Sequence, residues 1–388
     1  MSFADHQYEI YLRGTAGEAP LLTTDLARLE DAAREVLDPR AFGYVAGNAG
    51  TGSTARANRA AFERRRIVPR MLRDVGERDL STTLLGTAMG APVLLAPIGV
   101  QSIVHPEGEL ASARAAAASG LVFVHSTAAS HSIEQVAEAS GDGPRWYQLY
   151  WPRERDVAAS LVARAEAAGY TALVVTLDTF ALGWRPTDLD AAYLPFLQGV
   201  GIANYLTDPA FLAPLADDAP MGDKVFRWAG IFGDPTLTWD DLAWLRDRTS
   251  LPVVLKGVLH PDDARAAVAA GVDGLIVSNH GGRQVDGAIA ALDALPGVLD
   301  AVGGVLPVLF DSGVRTGADV VKALALGAAA VLYGRPYVLG LGLGGQAGVE
   351  HVLRCLLGET EVTMALAGRR TLADLGPDML VTAESDPF

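Results

Sequence analysis

A single cysteine, Cys355, stands among 388 residues. No intrachain disulfide is possible, and with no basic-then-apolar stretch at the start the sequence is expected to suit a reducing cytoplasm. Cys355 sits in an apolar helical run and reads as a packing residue. Basic residues are scarce too: 31 Lys and Arg stand against 46 Asp and Glu, a formal charge of −15. With no basic surplus to offset phosphate repulsion, neither nucleic acid nor an anionic membrane is an expected partner. Unbroken apolar runs are missing as well. Leu80 to Val104 carries no formal charge but is interrupted by Pro92 and Pro97, and Ala323 to Gly345 has Arg335 in its middle, so neither reads as a spanning helix. Metal-binding spacings are absent: there is no H-x-x-x-H and no C-x-x-C, and His105, His125 and His131 fall on different presumed loops. No metal is expected.

What is present is core-forming material, 50% hydrophobic and 20% charged, which excludes global disorder. The first 80 or so residues read as a helical preface. Thr23-Thr24-Asp25 can cap a helix that Asp38-Pro39 stops, Ala41 to Val45 leads into a glycine-rich turn at Ala46–Gly52, and a basic helix follows around Arg56 to Arg66. From Ala91 onward, short β-branched runs alternate with Ala-rich segments. The expected strands are Val93–Ile98, Leu121–Ser126, Trp146–Tyr150, Ala172–Asp178, Val253–Gly257, Leu275–Asn279, Val308–Ser312 and Ala330–Gly334. Between them, runs such as Pro106–Ser119, Arg153–Ala168, Pro261–Ala270 and Gly317–Leu326 have the composition of covering helices. Eight such repeats predict an α/β fold, a (β/α)₈ barrel. An open, doubly wound sheet is the alternative.

One interval breaks the rhythm: more than 70 residues separate Asp178 from Val253. About 40 to 50 of these exceed what a loop and a crossover helix require. Because they follow a strand's C-terminal end, they are expected to form a lid over the barrel mouth at about 180–238, with Trp184, Tyr193, Phe196, Tyr205, Trp228 and Phe232 as its aromatic residues. The expected organisation is a single domain over 1–388, with a preface at 1–90, the barrel at 91–358 and a tail at 359–388. Gly340-Leu341-Gly342-Leu343-Gly344-Gly345 matches a dinucleotide-binding motif in letters only. It follows its strand too late, and no later strand brings an acidic residue to a ribose, so it reads as close helix packing.

The polar residues that end the strands should converge on one face of such a barrel. They are Gly99, Ser126, Gln148 with Tyr150, Thr176 with Asp178, Lys256, Ser278 with His280, Asp311 with Arg315, and Gly334 with Arg335. The densest stretch is Ser278-Asn279-His280-Gly281-Gly282-Arg283-Gln284, where a buried run opens into a turned loop that places an imidazole three residues from a guanidinium. Asp311-Ser312-Gly313-Val314-Arg315 and Gly334-Arg335-Pro336 each precede a helix, so backbone N–H groups and two guanidiniums can hold a phosphorylated ligand.

Those three stretches resemble the FMN-dependent L-2-hydroxy acid oxidising family. Tyr8-Glu9-Ile10-Tyr11, Gly183-Trp184-Arg185-Pro186, Pro195-Phe196-Leu197 and Asn204-Tyr205-Leu206-Thr207-Asp208-Pro209 are most similar to its lactate 2-monooxygenase branch. The resemblance implies that His280 is the base, oriented by Asp178, and that Lys256 lies by the flavin. It implies that Arg283 and Arg185 grip the substrate carboxylate with Tyr44, Tyr150 and Tyr205 nearby. It assigns FMN to Pro97, Ile98, Gly99, Ser126, Gln148, Thr176, Lys256, Ser278, Asp311, Gly313, Arg315, Gly334 and Arg335. It further implies oxygen as co-substrate, a homo-oligomer of four or eight chains, and conversion of L-lactate to acetate, carbon dioxide and water; the alternative is an oxidase releasing pyruvate and hydrogen peroxide. Where the family has an acidic pair after Tyr44-Val45-Ala46-Gly47, this chain has Thr51-Gly52.

Overall fold

The computed structural model describes residues 2–383. Eight parallel strands close into a barrel: β1 (Val93–Leu95), β2 (Val122–Ser126), β3 (Arg145–Leu149), β4 (Leu173–Thr176), β5 (Val253–Val258), β6 (Gly274–Val277), β7 (Val308–Phe310) and β8 (Val331–Tyr333). β8 pairs with β1, which completes the ring. All eight expected strands are found, and the open-sheet alternative is excluded.

Two-residue alternation decides what each strand contributes. Leu94, Val122, Val124, Trp146, Val174, Val254, Ile276, Leu309 and Leu332 form an interior cluster distinct from the one between strands and helices. Leu84 and Met89, from the hairpin of Thr82–Leu84 and Thr87–Met89, join that interior cluster. Trp146 donates its indole N–H to Thr87 Oγ1 at 3.1 Å, the partner that a fully buried Trp needs. Two residues further along each strand, on the same parity, come Ser126, Gln148, Thr176, Lys256, Ser278 and Asp311. The layer above the apolar core is therefore polar.

The covering helices lie close to their expected bounds: Gly108–Ala118, Arg155–Ala167, Pro261–Ala269 and Gly317–Ala325. Capping boxes at Ser132/Gln135 and Thr316/Asp319 start two of the barrel helices. In the preface, Asp38 caps a helix over Pro39–Ala46, and this helical aromatic stretch leads into the glycine-rich turn. The preface also includes strand Arg65–Ile67, which pairs antiparallel with Leu380–Thr382 near the other end of the chain. The last helix runs from Arg335 to Leu366 and is broken at Gly344–Gly345; it continues past 358, so the tail begins later than expected.

Helix packing explains the glycine motif. A Cβ on Gly348 would stand 2.0 Å from the Gly340 carbonyl oxygen, and one on Gly342 would meet Leu37 at 2.8 Å. Among the described residues no helix is long and apolar enough to cross a membrane. Gly348→Ala should destabilise the protein by about 1–3 kcal/mol, because backbone rather than a mobile side chain blocks the added methyl. Denaturant unfolding of the FMN-loaded protein measures this, and an unchanged midpoint would refute the packing role.

Candidate active site

The barrel mouth holds a cavity of about 1070 Å³, its opening included, at the upper end of the roughly 300–1,000 Å³ typical of small-molecule sites. Five of its lining residues are cations, Arg185, Lys256, Arg283, Arg315 and Arg335, while Asp311 is its one lining carboxylate. Such a surplus requires anions from elsewhere, since unpaired charges away from water are costly.

On one side lies His280. It has φ 57 and follows Asn279, whose side chain accepts from Gly282 N and caps the short turn. His280 Nδ1 is 2.9 Å from Asp178 Oδ1 and 3.1 Å from Thr179 Oγ1, and Thr179 donates to the same Asp178 oxygen at 2.9 Å. Burial opposes charge on Asp178, but the His280 imidazole and Lys256 ammonium outweigh it and hold the carboxyl at about 2. Burial also lowers the pKa of His280, with Asp178 opposing. At neutral pH the pair is thus an ionised carboxylate holding a neutral imidazole, whose Nε2 can take a proton.

Beside it, Arg185 donates to the Arg283 carbonyl at 3.1 Å and to Gln284 Oε1 at 2.7 Å, while Gln284 Nε2 donates to the Asp178 carbonyl at 2.6 Å. Arg283 lies over the Tyr44 ring at 5.3 Å and donates to the Gly47 carbonyl at 2.7 Å. Burial, then the neighbouring Arg185, pulls Arg283 down to about 10, so it stays charged at neutrality. Tyr44 and Tyr150 also line this end. Burial raises the pKa of both, so each remains a donor. Phe196 stacks on Trp228 at 4.9 Å, Trp228 lies 4.9 Å from Phe232, and Phe232 lies 5.4 Å from Tyr150, which makes an aromatic wall.

The floor is a polar network. Lys256 donates to Ser278 Oγ at 2.9 Å and pairs with Asp311 at 3.1 Å. Although burial opposes it, Asp311 and Asp178 raise the Lys256 pKa and keep the ammonium charged. Ser126 donates to Gln148 Oε1 at 2.9 Å, which leaves the buried Gln148 Nε2 without a partner. Ser312, at φ 85, donates to Asp311 and accepts from the Asn279 and Gly281 amides at 3.2 and 3.0 Å. Arg335 donates to the carbonyls of Val45, Gly47 and Gly281 and to Asn48 Oδ1, whereas among the described residues the Arg315 guanidinium makes one bond, to the Val314 carbonyl. Pro97, Ile98, Gly99, Gly313 and Gly334 line the same cavity. A Cβ on Gly99 would stand 2.2 Å from the Ala128 carbonyl oxygen.

The structure thus gathers the sequence-predicted residues at one mouth, with Ser126, Gln148, Thr176 and Ser278 in the layer just behind the lining. Tyr205 is the exception. It is fully buried beside Phe211 at 5.4 Å and does not reach the cavity, because its short helix turns it beneath the lid. Trp184 is 74% exposed, and Tyr193 lies 5.4 Å from the Arg40 guanidinium, so neither joins the aromatic wall. Thr179, Gln284 and Ser312 were given no role from sequence, although each adjoins a residue that was. Thr51 donates twice to Asp286 Oδ2, at 2.7 and 2.8 Å; an acid at that position would repel Asp286.

Residues 33–382 match the family profile described as FMN-dependent dehydrogenase. An FMN-dependent alpha-hydroxy acid dehydrogenase of Penicillium citrinum is 46% identical, over 98% of this chain and 96% of that protein. The chain belongs to the FMN-dependent dehydrogenase family. An L-lactate oxidase of Lysinibacillus sphaericus is 44% identical, with 96% of each covered. A crystal structure of mandelate oxidase with (S)-4-hydroxymandelic acid superposes with a TM-score of 0.83 at 41% identity, covering 93% of this chain and 99% of that one. As in other FMN-dependent dehydrogenases of hydroxy acids, the reaction is FMN-dependent oxidation of a 2-hydroxy acid. The site suits the cofactor: Gln148 Nε2 awaits an acceptor, the Arg315 guanidinium awaits an anion, and Gly99 brings backbone close to the cavity.

Asp178→Asn should slow flavin reduction about 10²- to 10⁴-fold, since it removes the anion that orients the imidazole and stabilises its protonated form. Because Asp178 raises the His280 pKa, the acidic limb of the rate profile should move to lower pH in the variant. Stopped-flow reduction across pH measures both, and an unmoved limb would contradict the coupling.

Proposed function

We propose that the chain oxidises L-lactate, or a similarly small L-2-hydroxy acid, and decarboxylates the product before releasing it. Lactate and oxygen then become acetate, carbon dioxide and water: the bond between C1 and C2 breaks, one oxygen atom enters acetate and the other leaves as water.

In this reading the substrate carboxylate lies between Arg283 and Arg185, planar forks whose remaining N–H groups are free for it. The Tyr44 and Tyr150 hydroxyls donate to the same substrate. His280 Nε2 accepts the substrate proton, and Asp178 stabilises the resulting imidazolium through Nδ1. Bound FMN would supply the two-electron acceptor for this oxidation and the route by which those electrons reach oxygen. Lys256, Gln148, Ser126, Thr176 and Ser278 would hold its ring end, and Asp311, Gly313, Gly334, Arg315 and Arg335 its ribityl phosphate end, with Lys256 opposing negative charge there.

The observation that carries the decarboxylating outcome is the stacked wall of Phe196, Trp228 and Phe232 against Tyr150. A closed apolar lid keeps the 2-oxo acid and the peroxide formed from oxygen together, and retention decides whether they react. The second reading, an oxidase that releases pyruvate and hydrogen peroxide, is supported by the relatives named L-lactate oxidase.

Assaying acetate, pyruvate and peroxide together from L-lactate in air separates them. Mostly acetate is expected; pyruvate with stoichiometric peroxide would establish the oxidase. Phe232→Ala should shift the balance towards pyruvate by loosening the wall. Arg185→Met should weaken substrate binding by roughly 10-fold or more, as expected for a lost charge-assisted hydrogen bond worth about 1.5–3 kcal/mol. Unchanged affinity and reduction rate in that variant would exclude the carboxylate role.

A further inference from the structure

Far from the barrel mouth, three side chains with metal-binding atoms meet. His6 lies on the helix Asp5–Gly14, and His351 and Cys355 lie one turn apart on the last helix. Cys355 Sγ is 3.7 Å from His6 Nε2 and 3.5 Å from His351 Nε2, and the three ligand atoms all lie within 4.8 Å of one another. Zinc bonds of about 2.3 Å to sulfur and 2.0–2.1 Å to imidazole nitrogen, at tetrahedral angles, separate sulfur from nitrogen by about 3.5 Å. The two observed sulfur–nitrogen spacings match that edge.

We propose that Cys355, His6 and His351 bind one thiophilic cation, zinc, which staples the first helix to the last. Two further observations support the site. His6 Nδ1 is buried with no hydrogen-bond partner and faces Glu9 Oε2 at 3.8 Å. With Nε2 on the metal, Nδ1 keeps its proton towards that carboxylate, the arrangement that commonly orients a metal-bound imidazole. Second, the helix Asp5–Gly14 buries none of its residues, so apolar burial contributes little to holding it. Its polar attachments are few: Glu9 pairs with Arg354, and just before the helix Glu361 accepts from the Ala4 amide at 2.9 Å. A metal bridging two helices would supply what packing does not.

The fourth position belongs to water; His351 Nε2, which donates to the Thr23 carbonyl at 3.2 Å, must give up that bond and carry its proton on Nδ1 to bind the metal. On binding, the Cys355 thiol gives up its proton to solvent and zinc takes its place on sulfur. No electron is transferred.

The test uses the FMN-loaded full chain, stripped with a chelator, re-equilibrated with zinc chloride and gel-filtered. One zinc per chain should remain by elemental mass spectrometry, the melting temperature should rise, and X-ray absorption should show one sulfur and two nitrogen ligands. Loss of an outer partner alone weakens metal sites about 10- to 100-fold, so Cys355→Ser and His6→Gln should each weaken zinc binding by at least that much and abolish the thermal shift. His6 is only partly buried, and this variant keeps the test valid if Cys355→Ser folds poorly. Zinc retained equally by wild type and both variants, or by none of them, would overturn the proposal.

Discussion

Closing eight parallel strands into a ring leaves every second side chain nowhere to point except the barrel axis. That constraint organises this molecule. At mid-height it is met by Leu94, Trp146, Val254, Ile276 and Leu309, a dry interior capped by the hairpin of Leu84 and Met89. One layer higher, the same parity turns Gln148, Lys256, Ser278 and Asp311 inward, where each must find a hydrogen-bond partner. The site is therefore a continuation of the core, built on rigid strand ends. Two of the non-glycine residues with left-handed backbone, His280 and Ser312, lie in the turns above it, where side-chain hydroxyls and amides hold that backbone in place.

Electrostatics follow from that geometry. The chain as a whole carries −15, yet its cavity gathers five cations around a single lining carboxylate. Arg335 is caged by three carbonyls and an amide oxygen, and Arg283 donates to the backbone of the preface, so the segment before the barrel solvates part of the charge at the barrel mouth. The guanidiniums of Arg315, Arg283 and Arg185 line the same cavity. Against this field Asp178 stays ionised and His280 neutral, and the Lys256 ammonium favours both states.

Much of this was legible in the chain itself. Strand positions followed from β-branched runs because a doubly covered parallel strand is apolar on both faces, and strand ends located the polar layer because parity and chain direction are local properties. The lid was legible only as an excess of length. Its aromatic residues look alike in sequence, but Phe196 and Phe232 face the cavity with Trp228 packed against both, Tyr205 is turned beneath, and Trp184 points to solvent. Short, irregular helices have no period strong enough to announce which face is inward.

The sequence by itself determined the barrel and which polar residues end its strands, because alternation, turn residues and strand direction act over a few residues. Only the tertiary structure decided which side chains from distant segments meet: the carbonyls of Val45 and Gly47 on Arg335, Thr179 on His280, and His6 on Cys355, which lies 349 residues away in sequence. Such contacts are set by how helices close against one another and by which surfaces remain to be covered, and no local pattern records that outcome.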